Sequence, residues 1–135
     1  GLLENINIIV FLTHAKLHND YVRRADTVVE IVGIAGDRPV GNTVFAWNPV
    51  ADTFEPRERS VVLRNIARRT GLSEAQLQED LLRRRQVLEW MLANSIDDYR
   101  EVARIINLYY TNLPQLMNFI AQGGTAAGFR GQAEA

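Results

Sequence analysis

Arg23, Arg24 and Arg84 are the residues whose type and placement could serve recognition chemistry, although the arginine bias of the whole chain is explained as easily by genomic base composition. Of its fifteen basic residues fourteen are arginine and one, Lys16, is lysine. Two clusters stand out: Arg23-Arg24 ahead of an Ile/Val-rich run, and Arg83-Arg84-Arg85 after "LSEAQLQEDLL". A guanidinium presents a planar fork that pairs bidentately with carboxylate or phosphate. Arg23, Arg24 and Arg84 are therefore the candidates for interface contacts. Arg84 falls at helical spacing on the same stripe as Leu77, Leu81 and Leu88, so it must reach a carboxylate at a helix or subunit interface, or run its stem past the core.

Other chemistry is weakly supported. Lys16 lies in "HAKLHND", with no glycine-rich turn and no following Ser or Thr, so there is no P-loop. His14 and His18 are four apart, but they fall in a segment that reads as a turn and lack an evident third ligand, which a catalytic zinc needs. Asp97-Asp98 reads as capping chemistry at a helix start. Trp47, Trp90, Tyr109 and Tyr110 read as core aromatics rather than stacking platforms. No nucleophile-base pair has convincing placement, so the expectation is no catalytic, cofactor or metal residue.

Residues 66–85 imitate a helix-turn-helix. In that motif the start of the second helix faces the nucleic acid. Here those positions are Ser73, Glu74, Gln76, Gln78, Glu79 and Asp80. Their three carboxylates oppose a duplex carrying one negative charge per ~1.7 Å. The three arginines stand at the far end, where Glu79 and Asp80 precede Arg83 and Arg84 by the four residues that favour ion pairs. With fifteen basic against sixteen acidic residues and a net charge of -1, the molecule has no overall field for a polyanion. No nucleic acid is expected as partner, and a DNA-binding regulator stands as the alternative reading.

The elements that position these residues follow from periodicity. At 135 residues, 47% of them hydrophobic, the chain can build one modest core. It has no cysteine, no run of about 18 apolar residues and no signal-peptide pattern. A soluble, cytosolic chain is expected. "INIIVFL", residues 6–12, is a continuous apolar run of the kind found in strands covered on both faces, and its missing layers are expected upstream. "HAKLHND" reads as a polar turn into a second strand with β-branched residues from Thr27 to Ile34, and "AGDRPVGN" as a connection. "TVFAWNPVADTFEP" gives a ribbon on which Phe45, Trp47 and Phe54 can meet.

After Pro56 the period becomes helical. One helix is expected from Glu58 to Thr70 with Gly71 as its C-terminal cap. A second opens at Ser73 with Gln76 in a capping-box pattern and a stripe of Leu77, Leu81, Leu88 and Leu92. A third, capped by Ser95 or Asp97, carries Tyr99, Val102, Ile106 and Tyr109; a fourth begins at Pro114 and ends near Ala121. The fold class is an α+β fragment with N-terminal strands and hairpins followed by three to four helices. Residues 1–56 form the β-rich segment, 57–121 the helical one and 122–135 a disordered tail.

At "VEIVGI" (29–34), "VFAWNPVADTFE" (44–55) and "RRQVLEWMLANSIDDYREVARIINLYY" (84–110) the chain resembles the C-terminal part of archaeal type II/IV secretion-system ATPases. These include the archaellum motor and the ATPases of archaeal type IV pili. The order of features agrees over about residues 2–121, from a strand beginning near Leu3 to the "DYREVA" helix. The resemblance implies that the β-rich segment ends a RecA-like core whose Walker motifs, acidic box and histidine box lie upstream. It implies ATP and magnesium for the full-length protein but no cofactor in this chain. It also implies a hexameric ring of its own subunits, working at the cytoplasmic face of the membrane on a polytopic platform protein.

Overall fold

A computed structural model describes residues 7–134, so the start expected near Leu3 lies outside the described residues. Nine elements follow in order: β1 (Ile8–Leu17), β2 (Asp20–Ala35), β3 (Arg38–Asn48), β4 (Thr53–Pro56), α1 (Val61–Thr70), α2 (Glu74–Ala93), α3 (Tyr99–Thr111), α4 (Leu113–Ala121) and α5 (Ala126–Glu134). The fold is α+β: an antiparallel sheet of order β1-β2-β3-β4, then five helices. Among the described residues no helix is long and apolar enough to cross a membrane.

Tight turns make the sheet a meander. The expected polar turn over "HAKLHND" shrinks to His18 and Asn19, whose φ values of 48° and 76° give the left-handed pair that suits a two-residue hairpin. Strand β1 therefore continues to Leu17, paired with Asp20. Gly36, at φ 62°, turns β2 into β3 just as sharply, so most of "AGDRPVGN" is strand rather than connection. Pro39 is tolerated there because β4 pairs with β3 only from Phe45 to Asn48 and leaves the far side of Pro39 open. Trp47 lies across from Phe54, as the ribbon pattern predicts. Trp47 and Val44 are buried, whereas Phe45 and Phe54 stay exposed.

The expected covering of β1 is not met within the described residues. Ile8, Val10 and Leu12 are exposed on one side of the strand and Phe11 on the other. Leu12 is 79% exposed. Among the described residues the strand is an edge, paired with β2 alone.

The chain divides into two compact units between Glu74 and Ala75. Helix α1 thus belongs with the sheet, although the periodicity changes near Pro56. The reason is Glu30, a β2 carboxylate only 2% exposed. It accepts from the backbone N–H of Val61 at 2.7 Å, from Asn42 Nδ2 at 3.1 Å and from the Ser60 hydroxyl. Burial pushes the Glu30 carboxyl up, but these donors outweigh it and hold the group below its ordinary value. Ser60 in turn caps Leu63 N–H at 3.0 Å, so the helix starts at Val61 and not at Glu58. At the other end Gly71, with φ 71°, closes α1 as the sequence predicts.

In the second unit Val87, Trp90, Met91, Ile96, Ile105, Tyr109, Leu116 and Phe129 form one core. Ile105 and Leu116 are fully buried. Helix α3 is capped by Asp98 rather than Ser95 or Asp97, its carboxylate accepting from Arg100 N–H at 3.0 Å and Glu101 N–H at 3.2 Å. Asn112 and Pro114 start α4 where expected. The expected disordered tail of 122–135 instead carries α5. Phe119 and Phe129 meet Trp90 edge-on at 6.0 and 5.9 Å, and Trp90 Nε1 donates to the Gly124 carbonyl at 2.7 Å. These apolar and polar ties order a segment whose composition alone reads as coil.

Candidate interaction surfaces around three arginines

Neighbouring positions on a strand face opposite sides, so Arg23 and Arg24 are separated by the sheet itself. Arg24 is committed within the fold. Its Nε and Nη2 donate to the two oxygens of Asp52 at 2.8 and 2.9 Å, and Nη1 donates to the Arg23 carbonyl at 2.9 Å. Trp47 Nε1 adds a third donor to Asp52 at 2.9 Å. The turn that carries Asp52 is shaped by Asn48, whose side-chain oxygen accepts from the N–H of Val50 and Ala51, and Asp52 itself sits at φ 51°. Arg24 and then Trp47 pull the Asp52 carboxyl down to about 2, while Asp52 raises Arg24.

Arg84 is committed too. It meets the expected carboxylate one turn back in its own helix, Nε donating to Asp80 Oδ2 at 2.8 Å. Its Nη1 donates to the Tyr110 hydroxyl at 3.0 Å, and the guanidinium stands 5.0 Å from the Tyr109 ring centre and 5.5 Å from that of Tyr110. Tyr109 donates to Asp80 Oδ1 at 2.6 Å. Tyr109 first, then Arg84, holds the Asp80 carboxyl below its ordinary value against the opposing effect of burial. Burial and the Asp80 bond raise the Tyr109 phenol. Asp80, Arg84 and the two tyrosines thus clamp α2 to α3. The expected Glu79–Arg83 pair does not form; Arg83 approaches Asp80 at 3.9 Å, and Arg85 turns forward to Glu89 at 2.7 Å.

Arg23 differs from both. Among the described residues its side chain makes no hydrogen bond or ion pair, and its direct cross-strand neighbour is His14. A shallow depression of about 440 Å³ lies here, lined by Leu12, Thr13, His14, Arg23, Arg24 and Ala25. His14 stands in β1 rather than in a turn, 5.2 Å from the Tyr21 ring, while His18 sits at the hairpin tip. No group of three or more metal-binding side chains gathers among the described residues. Trp47 and Trp90 are buried and Tyr110 is exposed.

Sequence reasoning found Asp80, four residues before Arg84, but missed Glu30 and Asp52. Glu30 could have been found as the one charge within "TVVEIVGI", since a carboxylate in an apolar strand must find donors. Asp52 carries no comparable local signal, because its partner Arg24 is set by the tertiary fold.

The family described as PilB3-like, C-terminal matches residues 50–123, from the turn before β4 to the end of α4. Two relatives come from Methanocaldococcus jannaschii. Uncharacterized protein MJ1287 is 35% identical over 89 residues, covering 64% of this chain and 33% of the relative. Uncharacterized protein MJ0900 is 32% identical over 114 residues, covering 80% of this chain and 21% of the relative. The chain therefore spans about a third of one relative's length and a fifth of the other's.

Proposed function

Because the chain belongs to the PilB3-like C-terminal family, we propose that it is the C-terminal segment of a hexameric ATPase of the pilus-assembly and secretion class, with a structural and subunit-contact role. The match over residues 50–123 carries the reading. The first half of β1 supports it, since the apolar run of residues 8–12, exposed on two faces, suits a strand of a larger sheet. In this reading β1–β4 close a RecA-like core whose Walker motifs, with ATP and magnesium, lie elsewhere in the parent polypeptide. Archaellum and type IV pilus motors are both within this class. The ring stands at the cytoplasmic face of the membrane and passes its motions to a polytopic platform protein.

Mechanically, the segment contributes stiffness. Glu30 ties the sheet to α1, and the Asp80–Arg84–Tyr109–Tyr110 clamp ties α2 to α3, so within each unit these elements move together. The test has two arms. This chain alone is expected to release phosphate from ATP no faster than buffer, whereas the parent polypeptide hydrolyses ATP and forms hexamers by light scattering. Turnover by the isolated chain, or a parent lacking GxxxxGK[ST], would falsify the assignment. The DNA-regulator alternative is met by a low-salt gel-shift titration, where sequence-selective binding that weakens steeply with salt would favour it.

A further inference from the structure

We infer that the outer side of the α2–α3 hairpin, bearing Leu81, Leu88, Leu92, Tyr99, Ile106 and Tyr110, is a docking face for the same face of a second copy of this chain. Along α2 the leucines stand seven and then four residues apart, and along α3 Tyr99, Ile106 and Tyr110 repeat that spacing. Steps of seven and four mark a seam at which one helix packs on another. Yet all six residues are between 40% and 82% exposed. The buried sides are Leu77, Val87, Trp90 and Met91 on α2, and Ile105 and Tyr109 on α3. Each helix thus has a second apolar side that its own core leaves open.

The two ladders are neighbours. Helices α2 and α3 run antiparallel, because Tyr109 near the end of α3 donates to Asp80 near the start of α2, while only residues 94–98 join their other ends. Arg84 Nη1 donates to the Tyr110 hydroxyl at 3.0 Å, which sets the register. Leu88 stands one turn further along α2 and Ile106 one turn back along α3, so these two come level. In the same register Leu81 falls toward Tyr110 and Leu92 toward Tyr99.

Area and charge together favour a like partner. Weighted by exposure, the six residues present on the order of 800 Å², more than the roughly 300–600 Å² of the largest apolar patch on a typical monomer. A standard interface takes about 800 Å² from each partner. An antiparallel helix pair with one open apolar side completes a four-helix bundle when it meets its own copy. Beside the leucine ladder Arg85 and Glu89 cancel each other at 2.7 Å, and Arg100 lies 5.3 Å from the Tyr99 ring centre. Between the ladders the charge of Arg84 is met by Asp80. No rim of one sign therefore repels an identical surface, or calls for an acidic or basic peptide.

The contact is isologous, each copy offering the same patch. A ring joins two different surfaces of each subunit, so this two-fold face is separate from the hexamer proposed above and does not rest on it.

The test is sedimentation equilibrium of the full chain from about 1 μM to about 1 mM. Monomer is expected to give way to dimer with a dissociation constant on the order of 10 μM. Leu88→Glu and Ile106→Glu, one on each ladder, bury a carboxylate in both halves of the contact and should each weaken it by about a hundredfold or more. Leu12→Ser, on the exposed strand β1, should leave it unchanged, which separates this face from association through a sheet edge. In dilute solution all these side chains already meet water, so circular dichroism and unfolding of the monomeric variants should match the parent chain. A chain that stays monomeric throughout, a dimer that survives both glutamates, or one lost in Leu12→Ser overturns the inference. If the chain stays monomeric, protection of the leucines from hydroxyl-radical labelling in the parent polypeptide would assign the face to another of its segments. Each of those results leaves the family reading standing, whereas ATP turnover by the isolated chain sinks that reading without touching this face.

Discussion

Tyr109 on α3 donates its phenolic hydrogen to Asp80 on α2 across 2.6 Å, and Arg84 closes over both. Tyr109 is buried, so removing its hydroxyl leaves the ring in place and one Asp80 oxygen short of a donor. A hydrogen bond to a charged acceptor contributes roughly 1.5–3 kcal/mol. Tyr109→Phe is accordingly expected to cost about 1–2 kcal/mol in urea unfolding, allowing for partial rehydration of Asp80. An unchanged midpoint would mean that the clamp does not fasten α2 to α3.

Glu30 invites a sharper substitution. Its carboxylate serves Asn42, Ser60 and Val61 at once while 2% exposed. Glu30→Ala strands these donors and is expected to cost about 2–4 kcal/mol. Glu30→Gln keeps the shape but brings an N–H₂ group toward existing donors, so it should fall between the two. Hydrogen exchange gives the local readout: amides at Val61 to Leu63 should lose protection first, ahead of those of α3. Protection lost evenly along the chain would show that Glu30 is no specific anchor for α1.

Acid should weaken both units through carboxylates. Asp52 is held at about 2 from an ordinary 3.8, and Asp80 is also lowered. A carboxyl whose pKa is depressed by folding contributes stability that is complete above its unfolded value and is lost as the pH falls through its folded value. For Asp52 that window runs from about pH 5 down to about pH 2. Thermal midpoints are therefore expected to be flat from pH 7 to 5 and to fall below. In Asp52→Asn, which lacks this titration, the fall should be shallower; an identical slope would remove Asp52 from the acid response.

Periodicity revealed the order of the elements because strands and helices repeat at 2.0 and 3.6 residues whatever covers them. On α2 it placed Leu77 and Arg84 on the inner side correctly but continued the stripe along the wrong leucines. The leucines at 81, 88 and 92 look like a core stripe, yet Leu88 and Leu92 are 62% and 82% exposed, and the buried side is Leu77, Val87, Trp90 and Met91. The inner side is interrupted by Asp80 and Arg84, which a hydrophobic pattern counts as surface although they face α3 through Tyr109 and Tyr110. With apolar residues on two sides, spacing alone cannot choose. Helix α3 is divided in the same way: of its expected stripe Tyr109 is buried and Val102 packs against the core, but Tyr99 and Ile106 are exposed while Ile105 is fully buried. Of the candidate arginines, type and spacing nominated all three, but only the fold distinguishes Arg24 and Arg84, which hold their own chain together, from Arg23, which is open.

The two sides of α2 make a direct comparison possible. Val87 is 5% exposed within the core, and its truncation to Ala is expected to cost about 2 kcal/mol, from lost transfer energy and the cavity left behind. Leu92→Ser removes more apolar surface from the side chain itself, but that surface already meets water. Its cost in the isolated chain should stay within about 0.5 kcal/mol. Chemical unfolding of the two variants decides which stripe faces inward. If Leu92→Ser proves the more damaging, the leucine stripe at 81, 88 and 92 is the packed one after all, and the burial of Val87, Trp90 and Met91 cannot describe the protein in solution.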